Sequence, residues 1–376
     1  MAVLAGARVV TPVGVLDPGW VEIEGSRIIA VGRGAPGGGA ADLGGGWLLP
    51  GFIDIHAHGG QGHNFGDSAH DLAAGVAFHR AHGTTRMLVS FVTAAVETLC
   101  EQLSWAAERA ELGPSPDGHV LGAHLEGPYL SAARCGAQNP DYLAAPDRAD
   151  LARMIKAGRG QLRMMTVAPE LPGALELIDD LVAAGVVAAV GHTDASYEQA
   201  AAAFSRGASV ATHLFNGMRP VHHREPGPVL AALDSRAACE VINDGVHVHP
   251  AVLREVLARG VDRLVLMTDA IDAAGLGDGE YVLGGQDVIV TGGQARLART
   301  GALAGTTLTM DDAVRRAIVE GGLPIGAVAA AAATNPARVL GVADRCGALA
   351  VGLDADLVHL DEGFGLVRVM AQGAWE

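Results

Sequence analysis

The sequence predicts an α/β fold: a (β/α)8 barrel of the TIM type over residues 51–344, with a small β-sandwich domain formed by both chain ends, residues 1–50 and 345–376. Three observations carry this expectation. Eight apolar, strand-like runs alternate with alanine-rich helical stretches through the middle of the chain. The two ends share a different texture, β-branched segments broken by Gly, Pro and Asp. Metal-capable side chains close most of the eight runs at the same relative place, as in a barrel whose site lies at the C-terminal ends of its strands.

The elements follow in order. "ARVVTP", "WVEIEGSRIIAVG" and "ADLGGGWLLPG" read as strands and turns of the N-terminal part. The eight barrel runs are "FIDIHAH", "TRMLVSFVT", "VLGAHLEGP", "LRMMTVAPE", "VVAAVGHTD", "SVATHLFNG", "CEVINDGVH" and "RLVLMTDA". Helical stretches such as "AAGVAFHRAHG", "ALELIDDLVAAG" and "YEQAAAAFSRG" separate them. After the eighth run, "YVLGGQDVIVTGGQARLA" reads as a β insertion or lid, and two alanine-rich helices complete the barrel section. An open dinucleotide-binding sheet loses support because no GxGxxG follows the first strand.

Composition bounds the function. Of 376 residues 49% are apolar, enough for a large core, and the net charge of −16 argues against a nucleic-acid or membrane-surface binder. An anionic substrate must therefore be attracted locally. Four cysteines without a CxxC or a tight framework indicate a reduced, cytoplasmic protein. The start of the chain lacks signal-peptide character, and apolar runs near ten residues, as in "LVAAGVVAAV", are too short to span a bilayer.

The candidate site is read from the ends of the runs. The first ends in His56 and His58, the third in Glu126, the fifth in His192, the sixth in His213, the seventh in His247 and the eighth in Asp269. Any one of these is more often a hydrogen-bonded edge residue than a ligand, and a second HxH, His247-Val248-His249, shows how unspecific the triplet is. Their shared position on one rim is the specific signal. On a strand, residues two apart share a face, so His56 and His58 both point into the barrel mouth. Imidazole with carboxylate suits zinc, iron or a similar divalent ion, which activates water and polarises a carbonyl. Asp269 fits as the general base that takes the water proton and returns it to a leaving nitrogen; its structural alternative is the N-cap of a helix after strand eight. Lys156, the one lysine, lies in a helical stretch, so a bridging carbamylated lysine is excluded and Glu126 is the candidate bridging carboxylate.

With "PGFIDIHAHG", "GAHLEGPYL", "VAAVGHTDA", "THLFNGM", "REPG", "INDGVHV", "LMTDA" and "LAGTTLTM" in this order over nearly the whole length, the chain resembles the amidohydrolase superfamily. Within it, the resemblance is to the N-acetylglucosamine-6-phosphate deacetylases. It implies a metal-dependent deacetylase of amino-sugar catabolism and cell-wall sugar recycling, forming D-glucosamine 6-phosphate and acetate. Glu126, His192 and His213 would hold the main ion, and His56 with His58 a second, giving one or two divalent ions per subunit. Asp269 would be the catalytic acid/base. Ala137, Gln138, Asn216, Gly217, Arg224, His247, Leu303, Ala304 and Gly305 would contact the amino-sugar phosphate. In many members the arginine reaches a neighbouring subunit's site, so a homodimer is implied.

The residues make sense of these contacts. Arg224 in "HHREPG" offers a fork donor for phosphate oxygens, and His247 a further donor; His222 and His223 read as a solvated loop. Gln138 stands where a histidine is common in the family; it can donate a hydrogen bond but carries no charge. His124, two residues before Glu126, is expected behind the ligands. Cys135 reads as a plain loop cysteine near the mouth, and His63 and His249 have no assigned role. The rivals are a cyclic-amide hydrolase, opposed by the missing bridging lysine, and a nucleobase deaminase, opposed by "REPG" with "HLFNGM". A catalytically silent barrel would have lost ligands or Asp269, and none is lost.

Overall fold

The structure, a computed structural model, describes residues 1–114 and 118–375; Glu376, which closes the expected C-terminal part, lies outside them. Eight parallel strands follow in chain order: Phe52–Asp54, Thr84–Val92, His119–Glu126, Leu162–Val167, Val187–Val190, Val210–Ala211, Ala238–Ile242 and Leu264–Met267. They are barrel strands one to eight below. Strands one to seven each lead into a helix, from Ala69–Ala81 after the first to Pro250–Ala258 after the seventh. Strand eight reaches its helix, Met310–Val319, only after a three-stranded antiparallel insert, Gly279–Leu283, Gln286–Thr291 and Gln294–Leu297. The ring closes between strands eight and one just beyond their ends, where the Asp269 N–H donates to the His56 carbonyl at 2.9 Å and the His58 N–H to the Ala270 carbonyl at 2.7 Å.

Strands covered on both faces need no polar alternation, and strand two is accordingly buried along nearly its whole length. Ile53, Leu88, Leu121, Met164, Ala189, Val210, Ala238 and Val265 form one cluster with a residue from every strand, so they meet inside the barrel. Ala337, Leu340, Val342 and Cys346 join that cluster and plug the end opposite the site. Outside, helix faces such as Leu99, Leu103 and Ala106, or Leu177, Ile178 and Leu181, cover the strands.

The chain ends share one sheet in the order Ala374–Trp375, Leu366–Ala371, Leu357–Leu360, Trp47–Pro50, Ala2–Thr11, Gly14–Glu24, Arg27–Arg33. Antiparallel pairing of Leu357–Leu360 with Trp47–Pro50 joins the two halves of this β-sandwich, around Leu4, Val21, Ile28, Leu48 and Met370. Among the described residues, no helix is long and apolar enough to cross a membrane.

One expectation needs correction. Strand one ends at Asp54, so His56 and His58 lie beyond it. Strand alternation does not orient them; the hydrogen bonds to residues 269 and 270 do.

Candidate active site and metal centre

At the C-terminal rim, Glu126, His192 and His213 converge. Glu126 Oε1 lies 2.9 Å from His192 Nε2 and 2.9 Å from His213 Nε2, and the two imidazole nitrogens are 3.0 Å apart. Their far sides fix what they present. His192 Nδ1 faces the Arg134 carbonyl at 2.9 Å and His213 Nδ1 the Asn216 carbonyl at 3.0 Å. A carbonyl only accepts, so each Nδ1 carries hydrogen and each ring turns its Nε2 inward as the atom open to a metal. Two such nitrogens and a carboxylate oxygen aimed at one point need a cation between them, and a divalent ion fits this donor set.

A second group adjoins it. His56 Nε2 and His58 Nε2 are 3.3 Å apart, and His58 Nε2 lies 3.3 Å from Glu126 Oε2 and 3.3 Å from Asp269 Oδ1. His56 Nε2 is 3.5 Å from Glu126 Oε1 and 3.6 Å from Asp269 Oδ1. Glu126 thus belongs to both groups, as a bridging carboxylate must. Burial opposes charge on each group, yet Glu126 and Glu240 raise His56 well above its ordinary range, while His56 and His192 hold Glu126 well below its own. Burial likewise opposes ionised Asp269, but the His58 hydrogen bond and the His56 charge keep its pKa low. Protons here take the part that a metal ion would take in their place.

The backbone is strained at the same spot. His192, His213, Phe215 and Asp269 have φ of 45°, 29°, 81° and 50°, a region that non-glycine residues avoid. Asp269 is held there by its N–H bond to the His56 carbonyl and by the Thr306 N–H, which donates to its own carbonyl at 2.8 Å. A Cβ on Gly305 would come within 2.8 Å of that carbonyl, so only glycine lets the chain pass. No helix begins at Asp269, so its alternative as a cap falls away.

A cavity of about 210 Å³ opens over this floor, lined by His58, Glu126, His192, His213 and Asp269 and by the expected Ala137, Gln138, Asn216, Gly217, His247, Leu303 and Gly305. Leu283 and Ala302 make the insert its roof. The roof is tied to the loop after strand three, where Gln286 Nε2 donates to the Ala137 carbonyl at 2.6 Å. Ala304 is not in the lining; it is buried in the core of the insert. Arg224 lies outside the cavity of its own chain, exposed, with Nη1 2.7 Å from His223 Nε2. Among the described residues, no arginine or lysine lines the cavity.

Gln138 has a second contact that sequence reasoning did not foresee. Its Oε1 accepts the Thr93 N–H at 2.8 Å, so its Nε2 must point the other way, onto Glu126 Oε2 at 2.5 Å. His247 Nδ1 lies 2.7 Å from Asp244 Oδ2, leaving Nε2 for the cavity. His249 caps the helix Pro250–Ala258, accepting from the Ala251 N–H at 3.1 Å, and His63 pairs with Asp71 at 2.8 Å. Cys135 is half-buried and not part of the lining.

Below the rim lies a polar layer. His124 sits between Ser90 Oγ and Thr166 Oγ1 at 3.0 and 2.8 Å, its ring edge-on to His56. Asp54 accepts from the His56 N–H at 3.1 Å and from Thr268 Oγ1 at 2.6 Å, and burial pushes its pKa up to about 6 despite these bonds. Glu240 faces His56 Nδ1 at 3.1 Å. Glu240 was missed from the sequence, although an acid inside the apolar "ACEVI" was the available signal.

Comparison with known proteins agrees with this architecture. The Amidohydrolase family matches residues 47–375. A solved structure of N-acetyl-D-glucosamine-6-phosphate deacetylase from Mycobacterium smegmatis, a mutant in complex with N-acetyl-D-glucosamine-6-phosphate, is 45% identical with a TM-score of 0.95, over 100% of this chain and 98% of that one. An N-acetylgalactosamine-6-phosphate deacetylase of Escherichia coli O157:H7 is 40% identical over 87% of this chain and 86% of its own. An N-acetylglucosamine-6-phosphate deacetylase of Bos taurus is 38% identical over 85% and 81%. Since the family match takes in the whole barrel and both sides of its junction with the small sheet, the chain belongs to the amidohydrolase family.

Proposed function

We propose that the protein is a hydrolase of the linear amide C–N bond in N-acetyl-D-glucosamine 6-phosphate, releasing D-glucosamine 6-phosphate and acetate. The observation that carries this is the cavity floor, where Asp269 and the shared Glu126 face one small chamber beside four histidine nitrogens. The choice of sugar rests on the 45% identical structure that holds N-acetyl-D-glucosamine-6-phosphate. Residues 51–344 form the catalytic domain in this reading, and residues 1–50 with 345–376 its supporting β domain.

Glu126, His192 and His213 would hold one divalent ion, zinc or iron or a similar metal, and His56 with His58 a second. Bound there, the metal supplies Lewis acidity toward water and toward the acetamide carbonyl. Asp269 is the group that moves protons. Its carboxylate, kept ionised beside His56 and His58, accepts a proton from the attacking water and delivers it to the departing sugar nitrogen. The C–N bond breaks, the hydroxyl stays on the acyl carbon, and acetate and the amine leave. The insert roof and the loop at 136–138 exclude bulk water, while Asn216, Gly217 and the 303–305 loop orient the sugar.

The phosphate needs a cation that the cavity of a single chain lacks. Arg224, exposed and without an acidic partner among the described residues, supports a homodimer in which each chain supplies this residue to its neighbour's site, with His247 as a local donor. A cytoplasmic location suits a phosphorylated substrate. The 40% identical galactosamine relative favours a second reading, the C4 epimer. Acetate release by metal-replete protein from the two 6-phosphates and from unphosphorylated N-acetylglucosamine tests both readings. Strong preference for the gluco-phosphate is expected; preference for the galacto-phosphate moves the assignment to the epimer, and no release from any ends the sugar reading.

A further inference from the structure

Glu240 is fully buried in barrel strand seven, one layer beneath the rim, and the reaction as derived gives it no task. Its Oε2 lies 3.1 Å from His56 Nδ1 and accepts the His213 backbone N–H at 3.2 Å. Its Oε1 has no hydrogen-bond partner, and among the described residues no arginine or lysine pairs with it. A carboxylate so placed costs several kcal/mol unless positive charge is near. The side that can supply that charge is His56.

The two ligand groups differ here. His192 and His213 are backed by neutral carbonyls, of Arg134 and Asn216. Among the described residues, His58 Nδ1 has no partner. His56 alone among the four is backed by a side-chain carboxylate. That contact holds His56 with hydrogen on Nδ1 and a lone pair on Nε2, and its negative charge makes the ring a stronger donor. On the far side of the ring, the contacts from His56 Nε2 to His58, Glu126 and Asp269 are 3.3, 3.5 and 3.6 Å. Donors around a tetrahedral ion with bonds of about 2.0–2.1 Å stand roughly 3.3 Å apart, so this spacing suits an ion better than a shared proton.

We propose that Glu240 is a positioning residue that makes the second ion an integral part of this site, by orienting His56 and balancing the added charge from below. The proposal rests on the metal reading given above. Removing the charge while keeping the shape should loosen the second ion and spare the first, whose histidines have their own carbonyl partners, the new amide oxygen still accepting the His213 N–H.

The test is metal uptake, independent of turnover. Metal-free full-length protein is titrated with Co²⁺, and stoichiometry and affinity are read from metal content and visible absorption. The native chain is expected to bind two ions. Glu240→Gln should bind the first unchanged and the second about 10- to 100-fold more weakly. Placing Glu240→Gln in a His56→Gln background should add no further loss, because Glu240 acts through that ring. A purely structural acid would move neither affinity. Should the Gln variant not fold, Glu240→Leu, of similar size, also removes the charge; because it also leaves the His213 N–H without its acceptor, the proposal then requires the second ion to be weakened more than the first. Two ions bound by Glu240→Gln with native affinities, or equal weakening of both, overturns the proposal alone. No ion bound by the native chain overturns it together with the metal reading.

Discussion

Arg86, at the start of barrel strand two, is 1% exposed and lies between two carboxylates, with Nε 2.8 Å from Asp356 and a further ion pair to Asp354. Asp354 also meets Arg27 at 2.9 Å, and Asp356 accepts the Gln372 N–H at 2.8 Å. At the other end of the same barrel, Glu126, Asp269 and Glu240 are as deeply buried, with histidines as their only ionic partners among the described residues. The lower cluster is closed: arginine is always charged and its fork fills the acceptors. The upper one is open, since its histidines can be neutral and leave the carboxylates in need of a cation. One arrangement ties the small β domain to the barrel; the other, in the proposed reading, holds a place for a metal and a moving proton. Backbone strain follows the same division among the ionisable groups, at His192, His213 and Asp269 above and at none of Arg86, Asp354 and Asp356 below, though Gln372 beside Asp356 has a φ of 51°.

The comparison is broken most forcefully at Asp269. Asn tolerates left-handed φ, so Asp269→Asn should keep its fold and its metal while kcat falls about 10²- to 10⁴-fold, the usual share of a general acid–base. Steady-state kinetics together with metal content check this, and near-normal rates would remove Asp269 from the proton path. At the lower end, Arg86→Met leaves buried Asp356 without its cation and Asp354 with Arg27 alone, and should cost about 3–5 kcal/mol in urea unfolding. Metal affinity should not change. If Arg86→Met instead weakened metal uptake, the two clusters would not be separable.

Metal removal sharpens the contrast with a smaller effect. An ion at 100 times its Kd stabilises the chain by about 2.7 kcal/mol, so a chelator should lower Tm in the native protein. The same increment is expected in Arg86→Met. It should be much reduced in His192→Ala, which opens the upper cluster.

How much of this was legible in the sequence follows from the range of the contacts involved. Eight strands and their rim residues could be read because hydrophobic runs and their polar endings are local features. The orientation of His56 and His58 could not, since it depends on pairing with residues 269 and 270, more than two hundred positions away. Gln138 could be read as a cavity residue, but not the turn of its amide toward Glu126, which the backbone N–H of Thr93 sets. Left-handed residues at His192, His213 and Asp269 gave no signal, because neither glycine nor asparagine marks them. Glu240 escaped because attention to strand ends overlooks the layer beneath.

The smallest effect tests whether the lower cluster is closed to protons as well as to metals. His119 Nδ1 lies 3.2 Å from Arg86 Nη1, which can only donate, so the nitrogen offers its lone pair and the ring is neutral. Burial, with the charges of Arg86 and Arg345, lowers its pKa to about 4. In the unfolded chain a histidine titrates near 6.5. Between these values the unfolded state binds a proton that the folded state refuses, so stability rises with pH there. The contribution is complete above pH 6.5 and is lost as pH falls toward 4; with the ring partly exposed, it amounts to about 1–2 kcal/mol. His119→Gln keeps an acceptor for Arg86 and does not titrate. The difference in unfolding free energy between the two proteins, in which the carboxylates common to both cancel, should therefore shrink steadily from pH 6.5 to 4. A difference independent of pH would mean that the lower cluster admits a proton, and that what separates the two ends of the barrel is their strain rather than their closure.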